Sequence, residues 1–342
     1  MSRRALLRAT LGIGISLIAI WILIQSVDIE AALQVLATAD WRWVALMVVT
    51  VFIDMAARAA RWRVLLAPIK PVPYRRMLGY TYVGYLANNV LPARLGEVVR
   101  AHAAGEGENL SRTTVLGTIV VERVVDTVIV VGLAALAVVV LSVRGVMQSA
   151  VLLGAAFVAL LVVGLAIAMA LHRLPGADRV VAYASRWPRL VELGRRLREG
   201  LAVAGRPKTL TAALVLSAVA WSASITTTLA AGQAVGIELT LAQGALLCAG
   251  VALATIVPSG PGYVGTFELT FVSIAAGFGI GRDEAFAMGL LVHAMILAVT
   301  SIGGVIAAIR LRVGFSIGAD ETETAGETSP AGEAGIPRTA TR

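Results

Sequence analysis

The sequence predicts an all-α polytopic membrane protein, with about six full transmembrane helices and two re-entrant helical hairpins arranged as an inverted repeat. Three observations carry this expectation. Of 342 residues, 58 % are hydrophobic and only 15 % charged, with a mean hydropathy of +0.84; a soluble domain is nearer half apolar and a quarter charged. Six stretches are each long enough to cross a bilayer, which takes about 20 apolar residues. Two further apolar segments are interrupted by Pro and Gly. This composition excludes a disordered chain or a coiled coil, and it counts against a soluble enzyme.

The net charge of +8 and pI near 10.3 do not point to nucleic acid. The basic residues cluster in a few loops at membrane borders, where they mark the cytoplasmic side and attract anionic headgroups. The single cysteine, Cys248, excludes an intrachain disulfide.

The elements follow in order. Arg3, Arg4 and Arg8 precede an apolar run over about 11–24, read as a retained first span because Gln25-Ser26-Val27-Asp28 offers no small-residue cleavage site. The segment 28–40 carries three acids and no base, so it reads as external. The second span covers about 43–66 and ends in Arg58, Arg61, Arg63, Lys70, Arg75 and Arg76, a cytoplasmic signature. Two spans over about 114–141 and 146–171 lead to a cytoplasmic basic segment, 172–208, with nine Lys/Arg against three acids. That segment is expected to form an amphipathic surface helix. The last spans cover about 210–235 and 285–309. The tail, 314–342, is rich in Glu, Thr, Gly and Pro and is expected to be disordered.

The broken segments are 77–104 and 241–278. In each, an apolar half meets a Pro/Gly break and a second helical half follows. Broken backbone at membrane depth is tolerated only where protein or a water-filled cavity surrounds it. The breaks look like copies: Glu97 to Glu122 is 25 residues, and Glu268 to His293 is also 25. A membrane domain over 1–313, with repeat halves at about 42–141 and 209–310, is therefore expected. Loop charges place the first hairpin's entry inside and the second's outside. Broken helices meeting near the midplane in inverted repeats are a transporter architecture.

Individual motifs admit a structural and a functional reading. Gly260-Pro261-Gly262-Tyr263-Val264-Gly265 fits G-x-G-x-x-G, but apolar helical runs flank it and a dinucleotide site needs a strand before it. It reads as a helix break. No Walker A sequence is present, and His102, His172 and His293 are scattered without metal-ligand spacing. Neither a cofactor, a metal nor a nucleophile arrangement is expected.

Pro92-Ala93-Arg94-Leu95-Gly96-Glu97 places costly charges beside a break. One reading is an Arg94–Glu97 or Arg94–Glu122 pair that fixes the hairpin. The other is an anion site, with Arg94 and the free N–H groups of a half-helix holding a phosphate. Glu122 and Asp126 share a helix face as counter-ions or a proton-coupling pair. Glu268 reads as a gating or coupling carboxylate, or as a helix-start acid. Asp54 faces the same choice beside Arg58.

The run Asn88-Asn89-Val90-Leu91-Pro92-Ala93-Arg94-Leu95-Gly96-Glu97-x-x-Arg100, followed by Glu122-Arg123-Val124-Val125-Asp126, resembles a known family. So does Pro258-x-x-Pro261-Gly262-x-x-Gly265-x-x-Glu268. Over about 5–312 the chain is similar to the lysylphosphatidylglycerol synthase transmembrane-region, or flippase-like, family. The resemblance implies a multi-pass protein of a bacterial or archaeal inner membrane, here with both termini cytoplasmic. In two-part relatives the membrane domain is linked to lipid translocation, and a separate soluble domain carries the lysyl transfer. Synthase activity is therefore not expected here.

The expected role is to bind and move an anionic phospholipid or lipid-linked intermediate. Candidate binding residues are Asn88, Asn89, Arg94, Glu97, Arg100, Glu122, Arg123, Asp126 and Glu268. The expected break residues are Pro92, Gly96, Pro258, Gly260, Pro261, Gly262 and Gly265. The rivals are a membrane-embedded lipid or polyprenyl-linked transferase, and a non-transporting partner of a lipid-modifying enzyme or glycosyltransferase.

Overall fold

The computed structural model describes residues 3–91, 95–142, 188–255 and 259–313, with a few isolated helical positions between 154 and 164. Pro92, Arg94, Pro258, the expected span 146–171 and the tail 314–342 lie outside the described residues or largely so. The described chain is all-helical. Its helices are α1 (Arg3–Ser26), α2 (Ile29–Ala37), α3 (Trp41–Leu66), α4 (Tyr74–Val90), α5 (Gly96–Gly107) and α6 (Arg112–Val140). Then come α7 (Pro188–Leu201), α8 (Pro207–Ala234), α9 (Leu241–Ala254), α10 (Thr266–Ala276) and α11 (Arg282–Leu311).

Local chemistry sets several boundaries. Asp28 caps α2 by accepting from the N–H groups of Glu30 and Ala31, and Asp40 caps α3 through Arg42 N–H. Pro207 opens α8 where its missing N–H costs nothing. Thr240 and Gln243 form a reciprocal capping box at the start of α9.

Four helices, α3, α6, α8 and α11, are long and apolar enough to cross a membrane. They match the expected spans at 43–66, 114–141, 210–235 and 285–309. The first expected span differs. Residues 10–26 of α1 and helix α2 pass the same test only together, and the chain bends by 84° between them. The cap at Asp28 starts a new helix there, and Asp28 N–H also donates to Asp283 Oδ1 at 2.8 Å, tying the bend to α11. Four spans, or five with the bent pair, are thus present among the described residues. The chain is a multi-pass membrane protein, and apolar side chains such as Trp21, Leu136, Val139, Ile302 and Ile309 stand exposed along these helices, as a lipid-facing surface requires.

Packing is reciprocal. Helix α3 lies along α8, α4 along α11, and α6 along α9. The pairs α4–α5 and α9–α10 fold back on themselves as helical hairpins, and α5 and α10 rest on α6 and α11. The α4–α5 hairpin is closed by Gly84 and Gly96, because a Cβ at Gly96 would collide with Gly84 O and the Asn88 side chain. Gly303 and Gly304 let α11 approach Tyr82 and Leu86 of α4 in the same way.

The basic segment does contain an amphipathic helix, α7. Arg195 and Arg196 bracket Glu192 in ion pairs at 2.8 and 2.6 Å. Hydrogen bonds from these two guanidiniums hold the Glu192 carboxyl down at about 2.

Candidate functional site: a charged cavity between two helix breaks

The first hairpin meets the second break. The end of α4 packs against the short 3₁₀ turn Pro261–Tyr263, and a Cβ at Gly262 would lie 3.5 Å from Asn89 O. Next to this junction, with Asn89 and Tyr263 in its lining, is a cavity of about 540 Å³ lined by α3, α4, α5, α6, α8, α9, α10 and α11. Its lining includes the charged residues Asp54, Arg58, Glu97, Arg100, Arg123 and Asp126 and the apolar residues Leu247, Val251, Phe271, Val292 and Ile296.

The polar part rests on a buried ion-pair network. Arg61 is fully buried and binds Glu122 at 3.0 Å, Asp126, and Ser217 Oγ at 2.8 Å. Glu122 also takes Arg100 at 3.2 Å and Arg123 at 2.8 Å. Asp126 accepts from Trp221 Nε1 at 3.2 Å and has Arg123 at 3.5 Å and Arg58 at 3.8 Å. Arg58 pairs with Asp54 at 2.9 Å. The network therefore holds four guanidiniums against three carboxylates.

Two aromatics complete it. Arg100 lies over the Trp62 ring at 4.3 Å and Arg58 over Trp221 at 5.2 Å. Buried ions are retained when they are paired or do work, because desolvation alone would neutralise or expel them. The Arg123 side chain keeps 37 % of its surface open, and the Nε atoms of Arg100 and Arg123 have no hydrogen-bond partner among the described residues. Those two Nε atoms are themselves buried; within the network it is the rest of the Arg123 guanidinium, on the most open of the four arginine side chains, that can receive an anion.

The second break has a different chemistry. Gly262 and Gly265 have φ of +64° and +84°, a left-handed backbone that favours glycine. Glu268 Oε2 accepts from Gly265 N–H at 2.7 Å, and its Oε1 lies 2.6 Å from His293 Nδ1. His293 Nε2 lies 2.7 Å from Gly262 O. Phe267 stacks on the imidazole at 4.2 Å. Helix α1 closes the outside: Gly260 N–H donates to Ser16 Oγ at 2.9 Å, and Gly12 packs directly on Ser259.

Most sequence-predicted residues gather here. Glu97, Arg100, Arg123, Asp126, Asn88 and Asn89 line the cavity, and Glu122 lies directly behind it. Asn88 Oδ1 accepts from Gly96 N–H at 2.8 Å, while Asn89 Nδ2 donates to Thr300 and Ser301 at 2.9 and 3.0 Å. One N–H of each half-helix is thus already taken, by Asn88 in α5 and by Glu268 in α10, so those ends are not wholly free for a ligand. Glu268 does open a helix, and the base lacking nearby in sequence is supplied by His293 of α11.

Two corrections concern α3. Arg58 and Arg61, counted by sequence among the cytoplasmic loop charges, are 8 % and 0 % exposed inside the bundle. The rest of that cluster, Arg63, Lys70, Arg75 and Arg76, still carries the basic signature. The spacing Asp54-Arg58-Arg61 places all three on one helix face, a signal available in the sequence. Trp62, Ser217, Trp221 and Ser16 were not legible, because nothing local marks them.

Comparison with known proteins places this geometry. A model of the lysylphosphatidylglycerol synthase TM region matches residues 9–304. Among curated proteins, a glycosyltransferase, AglD of Haloferax volcanii, is 27 % identical over 349 aligned residues, covering 91 % of this chain and 55 % of that protein. The chain therefore spans about half the length of the curated relative it matches.

Proposed function

The chain belongs to the lysylphosphatidylglycerol synthase transmembrane-region family, and from that premise we propose that it is a lipid translocase without synthase activity of its own. Its cargo is an anionic phospholipid or a lipid-linked intermediate, moved between leaflets of a bacterial or archaeal cell membrane. The observation that carries this reading is the cavity of about 540 Å³, whose lining combines guanidiniums with apolar side chains. A phosphate-bearing headgroup needs the first and its hydrocarbon needs the second. The glycosyltransferase name of the archaeal relative favours a lipid-linked sugar within that class.

The membrane arrangement belongs to the same proposal. Six spans and two re-entrant hairpins form an inverted repeat, with both termini cytoplasmic. Exchanging α3, α4, α5 and α6 for α8, α9, α10 and α11 turns the α4–α11 contact into the α9–α6 contact, which supports the repeat. Arg94, beside the first break, joins Arg100 and Arg123 as a phosphate ligand. Glu97 and Asp126 balance their charge between cargoes.

The test is exchange of labelled phosphatidylglycerol between leaflets of liposomes containing the purified protein. Exchange accelerates, and the lipid keeps its mass. Arg94→Ala and Glu97→Gln slow it, and Arg94→Lys restores part, because the planar fork is lost. A covalently altered lipid overturns the reading in favour of a transferase. Absence of exchange with phospholipid, and with a polyprenyl-linked sugar, leaves only the partner role.

A further inference from the structure

The mechanism above makes no use of His293. It is 3 % exposed, lies on the cavity wall and makes both of its possible hydrogen bonds at short distance. A carbonyl oxygen has no proton, so the 2.7 Å contact with Gly262 O requires a proton on Nε2. The 2.6 Å contact between Nδ1 and Glu268 Oε1 then needs one further proton, on either partner. With that proton the pair is neutral overall, as a carboxylic acid beside imidazole or as a carboxylate beside imidazolium. Without it, two lone pairs face each other at 2.6 Å and the contact cannot persist.

From this geometry we propose that Glu268 and His293 form a one-proton site that latches the second helix break to α11 and opens when the proton leaves. The proposal rests on the translocase reading and gives it a coupling ion. His293 grips Gly262 directly and Gly265 through Glu268, so both left-handed glycines hang on a single side chain. Losing the proton breaks the N–H or O–H bond between the partners, passes H⁺ to water in the cavity and leaves one negative charge on Glu268. That charge repels an anionic headgroup, so proton and anion occupancy are linked and each favours the other.

The neighbours leave the pair as the proton acceptor of this region. Residues 10–26 of α1 contain no ionisable side chain, and α8 presents only Trp221, Ser224, Thr227 and Thr228 to the cavity. Helix α2 meets the far end of α11, at Asp283. Helix α9 presents Cys248, the turn presents Tyr263, and α4 presents Tyr85. Across the cavity α3 presents Asp54 and Arg58, which pair with each other. The first hairpin makes the contrast plain. At the same 25-residue spacing its partner residue is Glu122, held by Arg61, Arg100 and Arg123. Three guanidiniums fix a charge, whereas an imidazole can hold or give up a proton at the shared contact.

Glu268→Gln is the diagnostic variant. Its amide can accept from Gly265 N–H and donate to His293 Nδ1, so the latch stays closed and folded with no proton to release. Exchange of labelled phosphatidylglycerol in liposomes is measured at pH 6 and pH 8. The wild-type rate should rise about tenfold, and the Glu268→Gln rate should stay at the low value within about twofold. A flat wild-type profile, or a variant that rises equally, overturns the proposal. In parallel, nitrogen NMR of ¹⁵N-histidine protein in a His102→Gln/His172→Gln background reads the site without any lipid. Nε2 should stay protonated while Nδ1 titrates, and Glu268→Gln should displace that titration to lower pH. A proton on Nδ1 with Nε2 bare, or a titration unmoved by Glu268→Gln, overturns the latch. Failure of exchange under every condition, with the NMR signature intact, counts against the lipid reading and in favour of the proton site.

Discussion

Replacing Glu122 by glutamine tests the buried network most directly. The change is nearly isosteric and removes one negative charge at a side chain 1 % exposed. Of its three guanidinium partners, Arg61 and Arg123 keep Asp126. Arg100 keeps no carboxylate within ion-pair distance among the described residues, only the Trp62 ring at 4.3 Å. Removing one partner of a buried pair costs about 3–5 kcal/mol, and the two retained pairs place this case near the lower end. At roughly 2–4 °C per kcal/mol, the figure for domains of about 150–250 residues, a loss of about 3 kcal/mol lowers the melting temperature of Glu122→Gln by about 6–12 °C. Arg100→Met alone should cost less, because Glu122 retains Arg61 and Arg123. The double variant should recover part of the loss, with a coupling of about 2 kcal/mol, within the range for groups in one network. Tryptophan fluorescence melting in detergent reads all four proteins. If Glu122→Gln melts within about 2 °C of the wild type, the carboxyl is already neutral and the network does not hold α5 to α6.

Two further outcomes are expected. In a Cys248→Ala background, single cysteines at Gly205, before α8, and at Arg282, the first residue of α11, should label from opposite sides of the membrane; labelling from one side removes the inverted repeat. Gly96→Ala should destabilise the first hairpin by about 1–3 kcal/mol, the range for overpacking a tight contact, because the added methyl meets Gly84 O and the Asn88 side chain. An unchanged melting temperature would show that the α4–α5 contact is looser than described.

The linear pattern of apolar residues determined much of this protein. Runs of about 20 apolar residues leave a chain in lipid little choice but helix, so α3, α6, α8 and α11 were readable to within a few residues. Pro and Gly disfavour continued helix, so the end of α4 and start of α5, and the end of α9 and start of α10, were readable as well. Residue type and spacing also drew Glu97, Arg100, Glu122, Asp126 and Glu268 together as one candidate set.

What only the tertiary structure decided is which faces meet. Helices apolar on all sides carry little amphipathic signal; the spacing Asp54-Arg58-Arg61 puts Arg61 on a shared face of α3, but nothing in it names Glu122 and Asp126, 61 and 65 residues away, as its partners. Arg61 therefore looked like a loop charge when counted by sequence. The same holds for Ser16 on the second break and for the 84° bend after α1, which follows from the docking of Asp28 on Asp283. The 25-residue spacing hinted at His293, but only the tertiary structure shows its contacts with Glu268 and Gly262 O. Partners so far apart in sequence are set by helix packing, which depends on both surfaces at once and is written in neither alone.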